Sequence, residues 1–509
     1  MKRTTLSLIA AATALAAVTG FATLTAPDGT TTAPATAGRS LPVERSSLLC
    51  PAPSTSEVAE TVYTSYTPAG KTDAGTGASG TGKATAGKAE LKPASGAAPA
   101  DAKPKKPGAA KPPATAGRPG TPVTAKADGG AVPALTGSAT GSLAPGWTVQ
   151  QTTIVPAGGS RGLLGVSCTA PDTDFWFPAA STAKERQDYV HLTNPDDTAA
   201  VADIELYGPE GVLPSQLTEG IPVPAHATVP VLLSTLTGEA PKADVTVHVT
   251  TRSGRVGAVV GAADDKLGSD WLSASADPAP RAVLPGIPKD ATSVRLVAYA
   301  PGDDDADLKI QLVGETGTIV PASAPSLQVK SGMTAAVDMP DLTRGEAGSL
   351  LLTPADPKKP TPVVAALRVV RGKGDKQEIA FIPATPAITA RATVADNRAA
   401  GSTLSLTAPA ETAEVKVTAS AGSEGGTSVS KTFTIKAGTT TAVAPPVPAG
   451  LKGSYALTVE RVSGGPVHAS RALALPQDGV PMFTVQTLSD DRGTVEVPTA
   501  KQDLSVLDD

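Results

Sequence analysis

The chain has 509 residues, including 50 glycines and 48 prolines, only 3% are aromatic, and its formal net charge is −5. This composition is typical of an exported protein. So small a net charge does not by itself indicate any class of binding partner. The charge is unevenly distributed, because residues 67–145 hold ten basic and four acidic side chains.

The N-terminus has the pattern of an export signal. Lys2 and Arg3 precede residues 4–27, which carry no charge. That run is also long enough to span a bilayer. We therefore expect residues 1–27 to be a signal peptide or a membrane anchor, with cleavage left open, and residues 28–45 to be a tether. The rest of the chain is expected outside the cytoplasm, either secreted or held at the outer face of the membrane.

Residues 67–145 are predicted to be a disordered insert. They contain no aromatic residue and are rich in Pro, Ala and Lys. Such a segment buries too little apolar surface to offset its ordering entropy. The flanks, "SEVAETVYTSYTP" and "GWTVQQTTIVPAGG", are strand-like. We interpret them as two strands of one domain joined by a long loop, and expect the insert to be dispensable for folding.

The two cysteines, Cys50 and Cys168, flank this insert. In an exported protein they are predicted to form a disulfide, which would hold the short segment before the insert against the domain after it. Closing so long a loop is worth roughly 4–5 kcal/mol in the chain-entropy model. The alternative is two unpaired thiols, one buried and one free.

The remaining sequence repeats with a period of 106 residues, as from Ile204 to Ile310. Thr228, Thr334 and Thr440 follow the same spacing. Apolar and polar residues alternate around these positions, which predicts strands with one buried face. Short strands at this spacing indicate antiparallel sandwiches, so the fold class is predicted to be all-β with three tandem antiparallel β-sandwich (Ig-like) domains. Their predicted bounds are 46–66 plus 146–283, 284–386 and 387–497, followed by a tail at 498–509. The alternative is a single multi-blade assembly, for which three units are few.

Two clusters have residue types that can bind ligands. Phe175, Trp176 and Phe177 follow Cys168 and form either an exposed binding cluster or a core strand beside the disulfide. The acidic run Asp303, Asp304, Asp305 and Asp307 is either a Ca²⁺ site or a solvated turn. No other metal site and no cofactor is predicted, because the four histidines lack metal-ligand spacing and neither a phosphate loop nor a G-x-S-x-G motif occurs.

The segment "CTAPDTDFWF" (Cys168–Phe177), followed by "YVHLTNPDDTAAVADIELYGPEG" (Tyr189–Gly211), resembles an uncharacterised family of exported actinobacterial proteins. That family is number 5719 among the domains of unknown function. The resemblance runs from about Cys50 to the C-terminal region, and it implies location in the cell envelope but no activity. "DFWFPAAST" departs from the Gly-rich segment expected after the aromatic residues.

These observations favour a non-enzymatic envelope protein that acts as a binding or scaffolding module. Its expected partner is an envelope polymer or another envelope protein, with membrane contact through residues 4–27 if the signal is retained. Nucleic acid is excluded as a partner by export. The alternative is an enzyme acting on wall glycans through an unrecognised pair of carboxylates roughly 5–10 Å apart.

Overall fold

The computed structural model describes residues 39–70, 87–96, 115–217 and 219–497. The predicted signal, most of the tether and the tail at 498–509 therefore lie outside the described residues. The secondary structure is almost entirely antiparallel β-sheet, with two short 3-10 helices at Gly141–Leu143 and Leu233–Thr235. The all-β prediction is confirmed. Nowhere in these four stretches does the chain form a helix long and apolar enough to cross a membrane.

The first nine strands after β1 (Arg39–Pro42) build sandwich 1. They are β2 (Arg45–Cys50), β3 (Glu60–Tyr66), β4 (Lys88–Pro93), β5 (Ser95–Gly96), β6 (Thr115–Ala116), β7 (Val123–Asp128), β8 (Leu135–Thr140), β9 (Thr148–Val155) and β10 (Gly162–Ser167). One sheet has the order β2-β8-β4-β6 and the other β10-β9-β3-β7.

The prediction that residues 67–145 form a disordered insert is wrong wherever the structure describes them. They supply β4 to β8, the middle strands of sandwich 1. Ala89, Leu91 and Leu135 are buried there against Trp147. The average composition hid these short apolar alternations. The flanking strands are neighbours as predicted, because β3 pairs with β9.

The disulfide is confirmed between Cys50 and Cys168, which are 118 positions apart. Cys50 ends β2, and Cys168 follows β10. The bridge therefore joins the first and last strands of sandwich 1. It does not attach a short segment to a domain that begins after the insert, because the strands β2 to β10 form their own sandwich.

Sandwich 2 follows with sheets of order β11-β17-β13-β14, where β15 also pairs with β13, and β19-β18-β12-β16-β5. Its strands are β11 (Asp174–Ala180), β12 (Arg186–Thr193), β13 (Ala200–Gly208), β14 (Gly211–Leu213), β15 (Ile221–Val223), β16 (Ala227–Leu232), β17 (Val245–Ser253), β18 (Gly257–Asp264) and β19 (Gly268–Leu272). The strand β5, contributed by sandwich 1, pairs in parallel with β16.

Sandwich 3 repeats this arrangement. Its strands are β20 (Ala282–Ile287), β21 (Ala291–Tyr299), β22 (Ala306–Val313), β23 (Thr318–Ile319), β24 (Ser326–Val329), β25 (Thr334–Pro340), β26 (Gly348–Pro354), β27 (Val364–Lys373) and β28 (Lys376–Pro383). The sheet orders are β20-β26-β22-β23, with β24 also on β22, and β25-β21-β27-β28.

Sandwich 4 has the same core topology and adds a short two-stranded sheet. Its strands are β29 (Arg391–Asn397), β30 (Ser402–Ala408), β31 (Ala413–Ala419), β32 (Gly425–Thr427), β33 (Val429–Ile435), β34 (Thr439–Val443), β35 (Ala449–Lys452), β36 (Tyr455–Gly464), β37 (His468–Ala474) and β38 (Phe483–Leu488). The sheet orders are β29-β36-β31-β33, β34-β30-β37-β38 and β32-β35. In a separate unit, β39 (Thr494–Val497) pairs with β1.

The described residues thus contain four sandwiches with one topology, and the predicted number of three is corrected to four. Within residues 42–493 the four sandwiches close a ring. The last strands β10, β19, β28 and β38 pack against one another in a cycle. The first strand of each sandwich packs on the penultimate strand of a neighbour, as in β11 on β27, β20 on β37, β29 on β9 and β2 on β18. The alternative expectation was a single multi-blade assembly. The ring shares the cyclic arrangement of such an assembly, but each of its units is a sandwich of two sheets.

Ring closure buries both faces of the last strands. In β28, Ala380 and Ile382 belong to the core of sandwich 3. The alternate residues Ile379 and Phe381 pack with the core of sandwich 2. Each large apolar side chain buried in this way contributes roughly 1.5–3 kcal/mol. The sandwiches therefore share cores and are not independent beads on a string.

The threonines spaced by 106 residues lie at the seams of the ring. The Thr334 hydroxyl donates to the carbonyl oxygen of Tyr207 in the preceding sandwich at 2.7 Å. The Thr440 hydroxyl donates to the carbonyl oxygen of Val313 at 2.7 Å. Thr228, at the corresponding position, pairs through its backbone with Gly96 of sandwich 1. The 106-residue spacing therefore corresponds to a contact that recurs between neighbouring sandwiches.

Candidate functional site

The centre of the ring holds two buried carboxyl groups, Asp270 on β19 and Glu378 on β28, which we call the axial carboxyl pair. Asp270 has no exposed surface. Its Oδ1 accepts hydrogen bonds from the Gly165 N–H at 3.0 Å, the Trp271 N–H at 2.8 Å and the Thr484 hydroxyl at 3.1 Å. One carboxyl group therefore binds residues of sandwiches 1, 2 and 4. Burial raises the pKa of Asp270 well above its usual value, and Glu378 raises it further.

Glu378 completes the pair from sandwich 3. Its Oε1 accepts the Leu163 N–H at 3.0 Å, and the Arg161 guanidinium lies 3.7 Å from its Oε2. Glu378 has no exposed surface. Burial raises its pKa to about 8, so the carboxyl group is mostly protonated at pH 7. A neutral acid can remain buried without a full counter-charge.

Further polar groups surround the pair in sandwich 4. Arg471 on β37 lies opposite Gln486 on β38 in the strand register. Arg471 is fully buried, which lowers its pKa to about 10. Gln486 donates through Nε2 to the Thr484 hydroxyl at 2.8 Å, whereas its Oε1 has no partner among the described residues. Position 165 requires glycine, because a Cβ atom there would collide with the side chains of Gln486 and Thr484.

One end of the ring opens into a cavity of about 280 Å³, which we call the end cleft. Three sandwiches line it through the ends of β10 and β38 and the residues after β19. Its lining is rich in hydroxyl groups, supplied by Ser46, Thr148, Ser167, Thr169, Ser273, Thr393, Thr487 and Ser489. Gln486 lies between this cleft and the axial carboxyl pair.

Three consecutive charged residues, Asp490, Asp491 and Arg492, line the cleft, and the two aspartates accept hydrogen bonds from the protein itself. Asp490 accepts backbone N–H groups of residues 389–391 at 3.0–3.2 Å. Asp491 accepts the Arg391 Nε–H at 2.6 Å, and burial raises its pKa. The Arg492 side chain is 70% exposed, and its guanidinium lies 3.9 Å from the Asp172 carboxylate. The cleft therefore offers a guanidinium and several hydroxyls to a ligand, while its carboxylates serve the fold.

The three aromatic residues singled out in the sequence are divided between two environments. Phe175 and Phe177 belong to the core of sandwich 2, in agreement with the core-strand alternative and not with the exposed binding cluster. Trp176 points to the other face of β11, where it packs with Tyr299 of sandwich 3 and stacks on His248 at 3.6 Å between ring centroids. It is 8% exposed. Strand alternation accounts for the separation.

The acidic run of the predicted Ca²⁺ site remains an exposed turn. Asp303, Asp304, Asp305 and Asp307 are all exposed. The Asp305 carboxylate accepts the Ser331 N–H at 2.9 Å, which ties the turn to the loop between β24 and β25. In the part of the chain that the structure describes, no three His, Cys, Asp or Glu residues come together as metal ligands. The four carboxylates therefore lie exposed in the turn between β21 and β22 and at the start of β22.

Sequence reasoning did not find Asp270, Glu378 or Arg492. A signal for the first two exists, because each is a single acidic residue in a mostly apolar last strand, "GSDWL" and "KQEIAFIP". An acid in such a strand indicates a buried carboxyl group. That the two carboxyl groups lie near each other depends on the packing of β19 against β28, which no local sequence pattern predicts.

Comparisons with known proteins give the family without an activity. No curated protein matches the chain significantly. The model of a family of unknown function (DUF5719) matches residues 123–446. This match extends from β7 of sandwich 1 to just beyond β34 of sandwich 4, and it includes the whole segment Cys168–Gly211 that carried the resemblance. The chain therefore belongs to this family of unknown function, DUF5719.

Proposed function

We propose that this chain is an exported, non-enzymatic protein of the cell envelope that acts as a binding or scaffolding module. The observation that carries the proposal is the closed ring of four sandwiches that share cores. Such a ring presents fixed outer surfaces and one end cleft on a rigid frame. The Cys50–Cys168 bridge supports export, because disulfides persist in oxidising compartments.

The placement of the carboxyl groups favours binding over glycan hydrolysis. A glycosidase needs two carboxyl groups on either side of an accessible glycosidic bond. The axial carboxyl pair is fully buried. Asp490 and Asp491 at the end cleft are held by residues 389–391. A substrate would have to displace these contacts to reach any of the four carboxyl groups.

The proposed partner is an anionic envelope polymer or another envelope protein. The excess of basic side chains in residues 67–145 supports an anionic polymer, and binding should weaken with salt. If the signal is retained, residues 28–44, which precede β2, can extend only about 60 Å, which keeps the ring near the outer face of the membrane.

The test is co-sedimentation of the purified full chain with insoluble envelope fractions across a salt series. We expect retention that falls as salt rises and no release of soluble sugar. Lys103, Lys105, Lys106 and Lys111 changed together to Gln should weaken retention. The matched control changes the exposed Lys289, Lys358, Lys359 and Lys436 to Gln. Release of sugar, or no retention by any fraction, would overturn the proposal.

A further inference from the structure

We infer that the core of sandwich 4 binds a small monovalent anion, of the size of chloride, at the guanidinium of Arg471. This inference goes beyond the proposed function and does not rest on it. Arg471 lies on β37 and has no exposed surface, and it is the largest fully buried side chain of the described residues. A charge that is removed from water needs a counter-charge and hydrogen bonds that replace its hydration.

The protein itself supplies few partners for this guanidinium. Its Nη2 donates to the carbonyl oxygen of Ala395 at a long 3.4 Å. Among the described residues, neither Nε nor Nη1 has a hydrogen-bond partner. The hydroxyl of Tyr455, an ionisable neighbour of Arg471, is also buried and has no partner in the same part of the chain. All these groups can donate, and a buried donor without an acceptor is costly.

The charged groups around Arg471 leave one positive charge uncompensated. Asp396 acts on it most strongly, but the two carboxylate oxygens of Asp396 accept hydrogen bonds from Arg398 at 2.8 and 3.1 Å. Burial raises the pKa of Asp270, the other acidic neighbour, which favours its neutral form. Burial lowers the pKa of Arg471 only to about 10, so the guanidinium remains charged at pH 7. Water would accept its hydrogen bonds, but only an anion also balances its charge.

The repeat shows that the topology does not require a charge at this position. Arg471 pairs with Leu404 in the sheet, and the positions that correspond by the 106-residue repeat of Leu404 pair with Ala365 in sandwich 3 and Ala258 in sandwich 2. Both alanines are buried. The buried arginine is therefore particular to sandwich 4. An enclosed position in a core admits only a small ligand, and one negative charge matches the one charge left uncompensated.

The test compares urea unfolding of the full chain in sodium chloride and in sodium gluconate at equal ionic strength. Gluconate is the reference because it is too large for an enclosed site. We expect chloride to raise the ratio of folded to unfolded chain, by about elevenfold at ten times its dissociation constant. Arg471→Met removes the charge and should abolish this difference. The matched control, Arg281→Met, makes the same change at an exposed arginine and should retain it.

A second measurement does not depend on the folding of a variant. In wild-type crystals grown in sodium bromide, anomalous scattering should place a bromide ion at hydrogen-bond distance from the Arg471 guanidinium. Tyr455→Phe removes one donor and keeps the ring, so it should weaken the chloride effect. Ordered water alone at Arg471 in the bromide crystals, no chloride effect in the wild type, or an equal effect in Arg471→Met overturns the inference.

Discussion

Replacing Glu378 by Gln tests whether the axial carboxyl pair makes the ring sensitive to pH. Glutamine keeps an oxygen that can accept the Leu163 N–H, and it removes the ionisable group. The other charged groups that face this position are Asp270, whose charge opposes ionisation, and Arg161, whose charge favours it. The folded pKa of about 8 already includes the opposing effects of burial and Arg161.

The direction of the effect follows from the raised pKa. The folded chain holds the Glu378 proton up to about pH 8, whereas the unfolded chain releases it near its ordinary value of 4.5. Stability is therefore greatest below pH 4.5 and is lost as the pH rises through 8. Between pH 6 and 9 this group removes about 3 kcal/mol. If residues 42–493 unfold as one unit, the loss lowers Tm by about 3 °C, and Asp270 acts in the same direction.

The assay is calorimetric unfolding of the wild type and Glu378→Gln at several pH values from 6 to 9. We expect the wild type to lose stability across this range and the variant to lose less by about 3 °C. Glu346→Gln, an exposed glutamate of the same sandwich, is the matched control and should follow the wild type. If Glu378→Gln shows the wild-type pH slope, Glu378 does not titrate in the ring centre and the reasoning is refuted.

Three further predictions concern the architecture. A thiol reagent applied under denaturing, non-reducing conditions should modify neither Cys50 nor Cys168, and labelling of both would contradict the bridge. Replacing residues 67–145 by a short Gly/Ser loop should abolish the folding of sandwich 1, seen as lost cooperativity in urea, because it deletes β4 to β8; an unchanged transition would restore the dispensable-insert hypothesis. Thr334→Val and Thr440→Val should each cost about 1–3 kcal/mol in urea unfolding by leaving a seam carbonyl unpaired, whereas the exposed Thr427→Val should cost little.

The fold class was accessible from the sequence because period-two alternation is a local property. Val415 and Val417 are buried on either side of the half-buried Lys416, as their alternation predicts. The spacing of Thr228, Thr334 and Thr440 was also read correctly from the sequence. Its structural reason is a contact between neighbouring sandwiches, and a sequence pattern does not show which distant residues are in contact. Sandwich 1 was missed because its strands are short and embedded in Pro-, Gly- and Lys-rich sequence, so that averaging over residues 67–145 erased them.

The candidate site was less accessible for the same physical reason. Asp270 and Glu378 lie on different strands of different sandwiches and meet only through ring closure. Phe175, Trp176 and Phe177 were predicted as one cluster because they are adjacent in sequence. Adjacent residues of a strand lie on opposite faces of the sheet, so Trp176 is separated from the two phenylalanines. A better sequence criterion would have been the unbroken apolar run Ile379–Ile382, because a strand without alternation must bury both faces.

Ring closure also limits where this protein can bind a partner. The last strand of each sandwich is occupied by its neighbours, so the inner sheet edges are unavailable for pairing with another chain. The seams carry fixed contacts, such as the bidentate ion pair between Arg295 of sandwich 3 and Asp244 of sandwich 2. What remains is the outer surface and the end cleft, where three sandwiches contribute side chains to one cavity. A ligand in that cleft would contact all three at once, so its binding would stabilise the closed ring by mass action.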